Sequence, residues 1–132
     1  MSRQVIDMRP EHMVADYLYR RVLTGASVDT NGQAPSDGFM VRYGAFPTVA
    51  LRSGQHSRLR EAITAFVTEH WQAVRQRGDA YFGIWMDQKA DVIYLDVSAE
   101  LTDRDDALNR ARRLGERAIY DVALRREIWV QT

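Results

Sequence analysis

Cysteine is absent from this chain. That excludes disulfides, a thiolate nucleophile and Cys-ligated zinc. Lysine is nearly absent too, since Lys89 is the only one among 18 basic residues. Such an arginine bias follows from codon usage in a GC-rich genome, or from a need for the bidentate contacts that a guanidinium makes. No charge of either sign is left over, because 18 acidic residues cancel the 18 basic ones. That balance argues against a general polyanion binder, whose affinity needs uncompensated Lys and Arg. No apolar run approaches the length of a membrane span. The opening MSRQVIDMRPEH is charged and has no apolar signal core. The expectation is a cytoplasmic protein with no membrane contact. HExxH, GxGxxG, P-loop and GxSxG patterns are all missing. His12, His56 and His70 are too dispersed to form a ligand set on paper. The residues therefore nominate no catalytic group, no metal ligands and no cofactor.

What is present suits one domain of ordinary size. The chain has 132 residues, 45% hydrophobic and 27% charged, enough for a single core. Pro10 to Leu23 reads as a first helix, with Pro10 at the first helical position and Met13, Val14, Tyr17, Leu18 and Val22 on one stripe. This N-terminal helix occupies residues 1–24, a loop rich in Gly, Ser, Asn, Asp and Pro occupies 25–37, and an α+β core occupies 38–132. Gly38 to Phe46 alternates as a strand, and TVALRSG continues as a short, extended stretch. Leu59, Ile63, Phe66, Val67, Trp71 and Val74 recur at helical spacing, with Ser57 as the candidate N-cap and Gly78 as the left-handed C-cap.

The last fifty residues are the most explicit. YFGIWM and VIYLDVS are strands joined by the polar break DQKAD, where Asp87 and Asp91 bracket a tight turn. A second long helix starts at Thr102, with Asp103, Asp105 and Asp106 at the positive end of its dipole. Its buried side takes in Leu108, Ala111, Leu114, Gly115, Ala118, Ile119 and Val122. Arg110, Arg112, Arg113 and Arg117 read as a solvated face, or as a docking patch for an acidic partner. EIWV closes the chain as a strand. The resulting order, β-α-β-β-α-β behind an N-terminal helix, predicts a ferredoxin-like antiparallel sheet with two helices on one face.

Alternation sorts the side chains of that sheet. Ile93, Leu95, Val97 and Ala99 belong to the helix-covered side, and Val92, Tyr94, Asp96 and Ser98 to the other. The second side gathers the candidate binding surface: Tyr81, Trp85, Tyr94, Asp96 and Trp129. It is covered by the first helix or the loop, buried in a sheet-to-sheet or edge-to-edge homodimer, or free to stack single-stranded bases. Neutral charge and the missing RNA-recognition consensus make nucleic acid the least favoured of these. Asp96 stands out because an acid in mid-strand costs free energy unless paired or hydrated. Arg42 is its expected partner, with general-base or metal duty as the alternative. Asp121 is expected to cap backbone groups or pair with Arg125.

Three stretches, TGASVDTNGQAPSDGFMV, YFGIWMDQKADVIYLDVSAELTDRDDAL and ARRLGERAIYDVALRREIWV, carry a resemblance. Between about residues 24 and 130 the chain resembles a family of small uncharacterised proteins of actinobacteria, their phages and their mobile elements. The shared frame falls on Gly38 to Val41, on Gly83, Trp85 and Asp87, on Leu95 to Ser98, and on Ala118 to Asp121. Arg117 departs from it, standing where relatives are expected to carry Gln. The resemblance implies a genomic setting and no activity. The leading expectation is a small non-enzymatic accessory factor of a phage or mobile element. It would be a homodimer, or bind a protein of a bacterial host. A hydrolytic enzyme centred on Asp96, and a single-strand binder using Tyr94, are the alternatives.

Overall fold

The computed structural model describes residues 9–131. The charged opening segment before them, read above as having no leader, lies outside the described residues. Within them the chain is α+β, with three α-helices and one seven-stranded antiparallel sheet. The helices are α1 (Pro10–Tyr19), α2 (Leu59–Arg75) and α3 (Arg104–Leu114). The strands are β1 (Ala26–Val28), β2 (Phe39–Arg42), β3 (Val49–Arg52), β4 (Ala80–Asp87), β5 (Val92–Leu101), β6 (Ala118–Asp121) and β7 (Arg126–Trp129). They lie in the order β1-β4-β5-β2-β6-β7, with β3 also on β5.

The β4–β5 hairpin is the centre. Its turn is built by Asp87, whose Oδ1 accepts from the Lys89 and Ala90 amides, both at 3.1 Å. Asp91 closes it in the left-handed region, at φ 53°, a conformation that a short polar side chain tolerates. Strand β5 is long enough to take two neighbours end to end on its far side. Phe39 to Arg42 face Leu101 to Ser98, and Val49 to Arg52 face Leu95 to Val92. Residues 43–48 therefore run opposite only Asp96 and Val97. The excess bulges out and carries Phe46 into the core, where it is 5% exposed.

Helix α2 buries the stripe expected of it: Leu59, Ile63, Phe66, Val67, Trp71 and Val74. Each large side chain removed from water contributes roughly 1.5–3 kcal/mol before entropy is set against it. Its ends differ from expectation. A 3-10 segment, Ser53–Arg58, leads directly into it, and no side chain caps its start. It ends through Gln76 in the right-handed region, and Gly78 supplies no left-handed turn.

Helix α3 is capped by Asp103, whose carboxylate accepts from the Asp105 and Asp106 amides at 2.8 and 3.1 Å. It is shorter than its apolar spacing suggested. Gly115 turns left-handed at φ 72°, and the Glu116 amide reaches back to Ala111 O at 2.9 Å. That closure satisfies the last carbonyls and redirects the chain. Ala118 to Asp121 is consequently strand β6, and Ile119 packs from the sheet instead of from a helix. Ile128 joins it from β7.

Two further differences concern the N-terminal part. The first helix ends at Tyr19, not Leu23, and the expected loop 25–37 contains β1, paired with β4. Helix α1 packs on α2, and its Val14, Ala15 and Leu18 join Phe66, Phe82 and Leu95 in one cluster. It does not cover the far face of the sheet. Helix α3 packs over Val41 and Ile119, which register places on the same side as Ala99. All three helices thus share one face.

Candidate functional site

Register decides which side chains the uncovered face presents. Cross-strand pairing aligns Tyr81, Gly83, Trp85 and Asp87 of β4 with Ser98, Asp96, Tyr94 and Val92 of β5. Met40 and Arg42 of β2 continue the face opposite Glu100 and Ser98. Ala50 and Arg52 of β3 continue it opposite Tyr94 and Val92. Tyr120 of β6 lies opposite Met40, and Trp129 of β7 opposite Ala118. Tyr81, Trp85, Tyr94, Asp96 and Trp129 therefore do share one side of the sheet.

They do not form one cluster. Trp85 and Tyr94, a directly opposed pair, stack with ring centroids 4.3 Å apart and planes 19° from parallel. Asp96 is their neighbour one step along the strand pair. Tyr81 sits further along, beside Glu100. Trp129 is 66% exposed on the outermost strand, with β6 and β2 between it and β5. Tyr120 lies beside it on that side of the face, 41% exposed, and sequence reasoning did not single it out.

The surroundings of Asp96 follow from two gaps. Opposite it on β4 stands Gly83, and a Cβ there would collide with Asp96 Oδ1. The carboxylate occupies the space that a side chain would fill, which is why glycine suits this mid-strand position. On its other flank the partner strand has bulged out at residues 43–48. The Trp85 indole lies beside the carboxylate and favours its charged form. Burial pushes the Asp96 carboxyl up to about 6, the indole beside it pulls it down, the Glu116 charge raises it and the Arg42 charge lowers it.

Arg42 is not the partner that sequence suggested. Its Nε donates to Glu116 Oε1, in an ion pair with Glu116. Glu116 was missed because it follows the helix-ending Gly115, and only the early end of α3 brings it to the sheet. A hydrolytic site centred on Asp96 needs a second titratable group within hydrogen-bond reach of it. The side chain set beside its carboxylate is instead the Trp85 indole.

The other end of the face is acidic. The connection from β1 to β2 passes β4 and β5 there and brings Asp29 and Asp37 near Glu100. Burial raises the Glu100 carboxyl, as does each nearby acid, with Asp37 first. Its Oε2 is buried without a hydrogen-bond partner. The Tyr81 hydroxyl is raised by burial and by Glu100, Asp29 and Asp79. Asp79, close by, accepts from the Tyr43 hydroxyl at 3.0 Å.

The remaining candidates are structural. Asp121 is 8% exposed and accepts from the Leu124 amide at 3.2 Å, so it caps the β6–β7 turn. His70 packs edge-on to Phe46 and Phe66, at 5.4 and 4.9 Å. His56 bonds Leu51 O at 3.3 Å. Arg110 lies over the Tyr43 ring, and Arg112 ties the C-terminal segment through Gln131 O at 2.9 Å. Among the described residues no group of three His, Asp or Glu side chains is placed to hold a metal ion, and no helix is long and apolar enough to cross a membrane. No protein-family model, curated protein or solved structure matches the chain.

Proposed function

We propose that this is a non-enzymatic interaction module that docks a protein partner on the uncovered face of its sheet. The observation that carries the reading is the asymmetry of that sheet. Three helices share one side, and the other presents Trp85, Tyr120 and Trp129, at 46, 41 and 66% exposure. Aromatic side chains exposed on a rigid surface are the usual anchors of a protein interface. In the setting implied by the family resemblance, the module is an accessory factor of a phage or mobile element, acting in the cytoplasm of an actinobacterial host.

The fold behind it reads as ferredoxin-like with additions. Strands β4-β5-β2-β6 lie in the order expected of a split βαβ core, and α2 and α3 are its two crossovers. On that reading β1, β3 and β7 widen the sheet.

A homodimer is the second form of the proposal. It is favoured by β7, an edge strand whose outer side has no neighbour among the described residues and which carries Trp129. Two measurements test these forms together. Light scattering should report a dimer at high concentration, and a monomer removes the self-association form. Immobilised protein challenged with a host lysate should retain a partner that Trp85→Ala/Trp129→Ala protein does not. Equal retention by both proteins overturns docking on this face.

A further inference from the structure

Resting on the interaction-module reading, we infer that the surface formed by Trp85, Tyr94 and Asp96 takes a cationic side chain of the partner, a guanidinium in the first instance. Four observations point there.

The face is acidic in a chain that is neutral. Its strand positions carry Asp87, Asp96, Glu100 and Glu127 against Arg42 and Arg52, and Arg42 is already committed to Glu116. A partner that complements this surface brings positive charge, and a phosphate backbone does not.

Asp96 is also short of a counter-ion. The groups around it are the Trp85 indole and the Tyr94 ring on one side, and the Arg42–Glu116 pair on the other. Taken together, the two carboxylates and one guanidinium leave a negative charge, held where burial already disfavours it. A docked cation relieves that cost, and its hydrogen bonds to a charged acceptor are the strong kind.

The aromatic pair is the third element. Trp85 and Tyr94 stack on each other, and Trp85 remains 46% exposed. Elsewhere this chain lays its own arginines on aromatic rings: Arg21 on Tyr17 at 3.7 Å, Arg60 on Tyr19 at 4.2 Å and Arg77 on Phe46 at 5.1 Å. Among the described residues none lies over Trp85 or Tyr94. A planar guanidinium can stack on the exposed ring and still reach a carboxylate at its edge.

The fourth is the backbone around it. Gly83 on one flank and the bulge at 43–48 on the other leave no strand side chain directly opposite Asp96, whose carboxylate reaches over Gly83.

The test uses the full chain and a short blocked peptide with a central arginine, set against the same peptide with citrulline at matched ionic strength. The probe is the Trp85 indole N–H signal in a nitrogen-correlated NMR spectrum, assigned by its loss in Trp85→Phe. The arginine peptide should shift this signal saturably near neutral pH. Citrulline should bind at least tenfold more weakly. Asp96→Asn and Tyr94→Ala, each first checked for a folded spectrum, should weaken the arginine peptide by a similar factor. Binding should also weaken as pH falls below about 6, where Asp96 takes up its proton. Equal binding of citrulline, undiminished binding to Asp96→Asn, or no shift up to the solubility limit overturns the inference. The comparison of arginine with citrulline needs no variant, so a misfolded mutant cannot rescue it. A lysate partner that depends on Trp85, found together with no arginine preference, overturns this inference alone. Loss of both overturns the interaction-module reading as well.

Discussion

On β5, Ile93, Leu95, Val97 and Ala99 alternate with Val92, Tyr94, Asp96, Ser98 and Glu100, and the two sets live in different surroundings. The first set is at most 3% exposed and lies under the helices. There, packing by volume against Phe82, Ile63, Phe66 and Val67 decides everything. The second set holds an acid raised by burial, a carboxylate with an oxygen that lacks a partner, and a stacked aromatic pair. Groups that cost free energy are concentrated on one side of a strand whose other side contains none. A sheet can be stabilised from a single face, which leaves the second face free to carry chemistry that does not help it fold.

The largest test of that contrast is Leu95→Ala against Tyr94→Ala, adjacent residues on opposite faces. The first should cost roughly 2–5 kcal/mol through a cavity in the main cluster. The second should cost about 0.5–1.5 kcal/mol, the worth of an aromatic pair. Urea denaturation measures both, and comparable losses would erase the distinction between the faces.

The pH dependence of Asp96→Asn comes next. The folded protein holds the Asp96 proton up to about 6, above the ordinary value of 3.8. Stability carried by the neutral acid is therefore fully present below about pH 4 and lost as pH rises through about 6. Asparagine never ionises, so Asp96→Asn should gain up to roughly 3 kcal/mol on the wild type between about pH 4 and pH 8. A gap that stays constant with pH would mean that Asp96 is hydrated and ordinary.

A third effect is expected at Gly83. An alanine there collides with Asp96 Oδ1, and overpacking of this kind costs roughly 1–3 kcal/mol. In an Asp96→Gly background the same change should be neutral or stabilising, because alanine also restricts the unfolded chain. A double-mutant cycle by thermal melting reads the coupling, and additivity would place the carboxylate away from Gly83.

Sequence made one of these faces far easier to read than the other. The stripe of α2 and the buried set on β5 were legible because apolar periodicity encodes them locally. The Asp87–Asp91 turn was legible because its turn residues are equally local. The true end of α3 was not, since Ala118, Ile119 and Val122 continue a helical spacing past Gly115. Only the left-handed backbone at that glycine reveals the break. Strand β1 was hidden in a Gly-rich loop because three residues are too few to show a period. At the site, Tyr81, Trp85, Tyr94, Asp96 and Trp129 were placed on the right side, but their neighbours depended on register. Glu116 and the gap above Gly83 exist only once β2 and β4 are aligned on β5, and a single sequence does not state that alignment. A glycine in mid-strand was the one local hint.

The division of labour around β5 also has a consequence for time. Strands β1, β2 and β3 are synthesised early, yet none pairs with another of the three; each waits for β4, β5 or β6. A nascent chain released only as far as α2 would have no ladder to join. The local β4–β5 hairpin should then assemble first and act as the template on which the older segments zip, so folding during translation would be held back until residue 101 clears the ribosome.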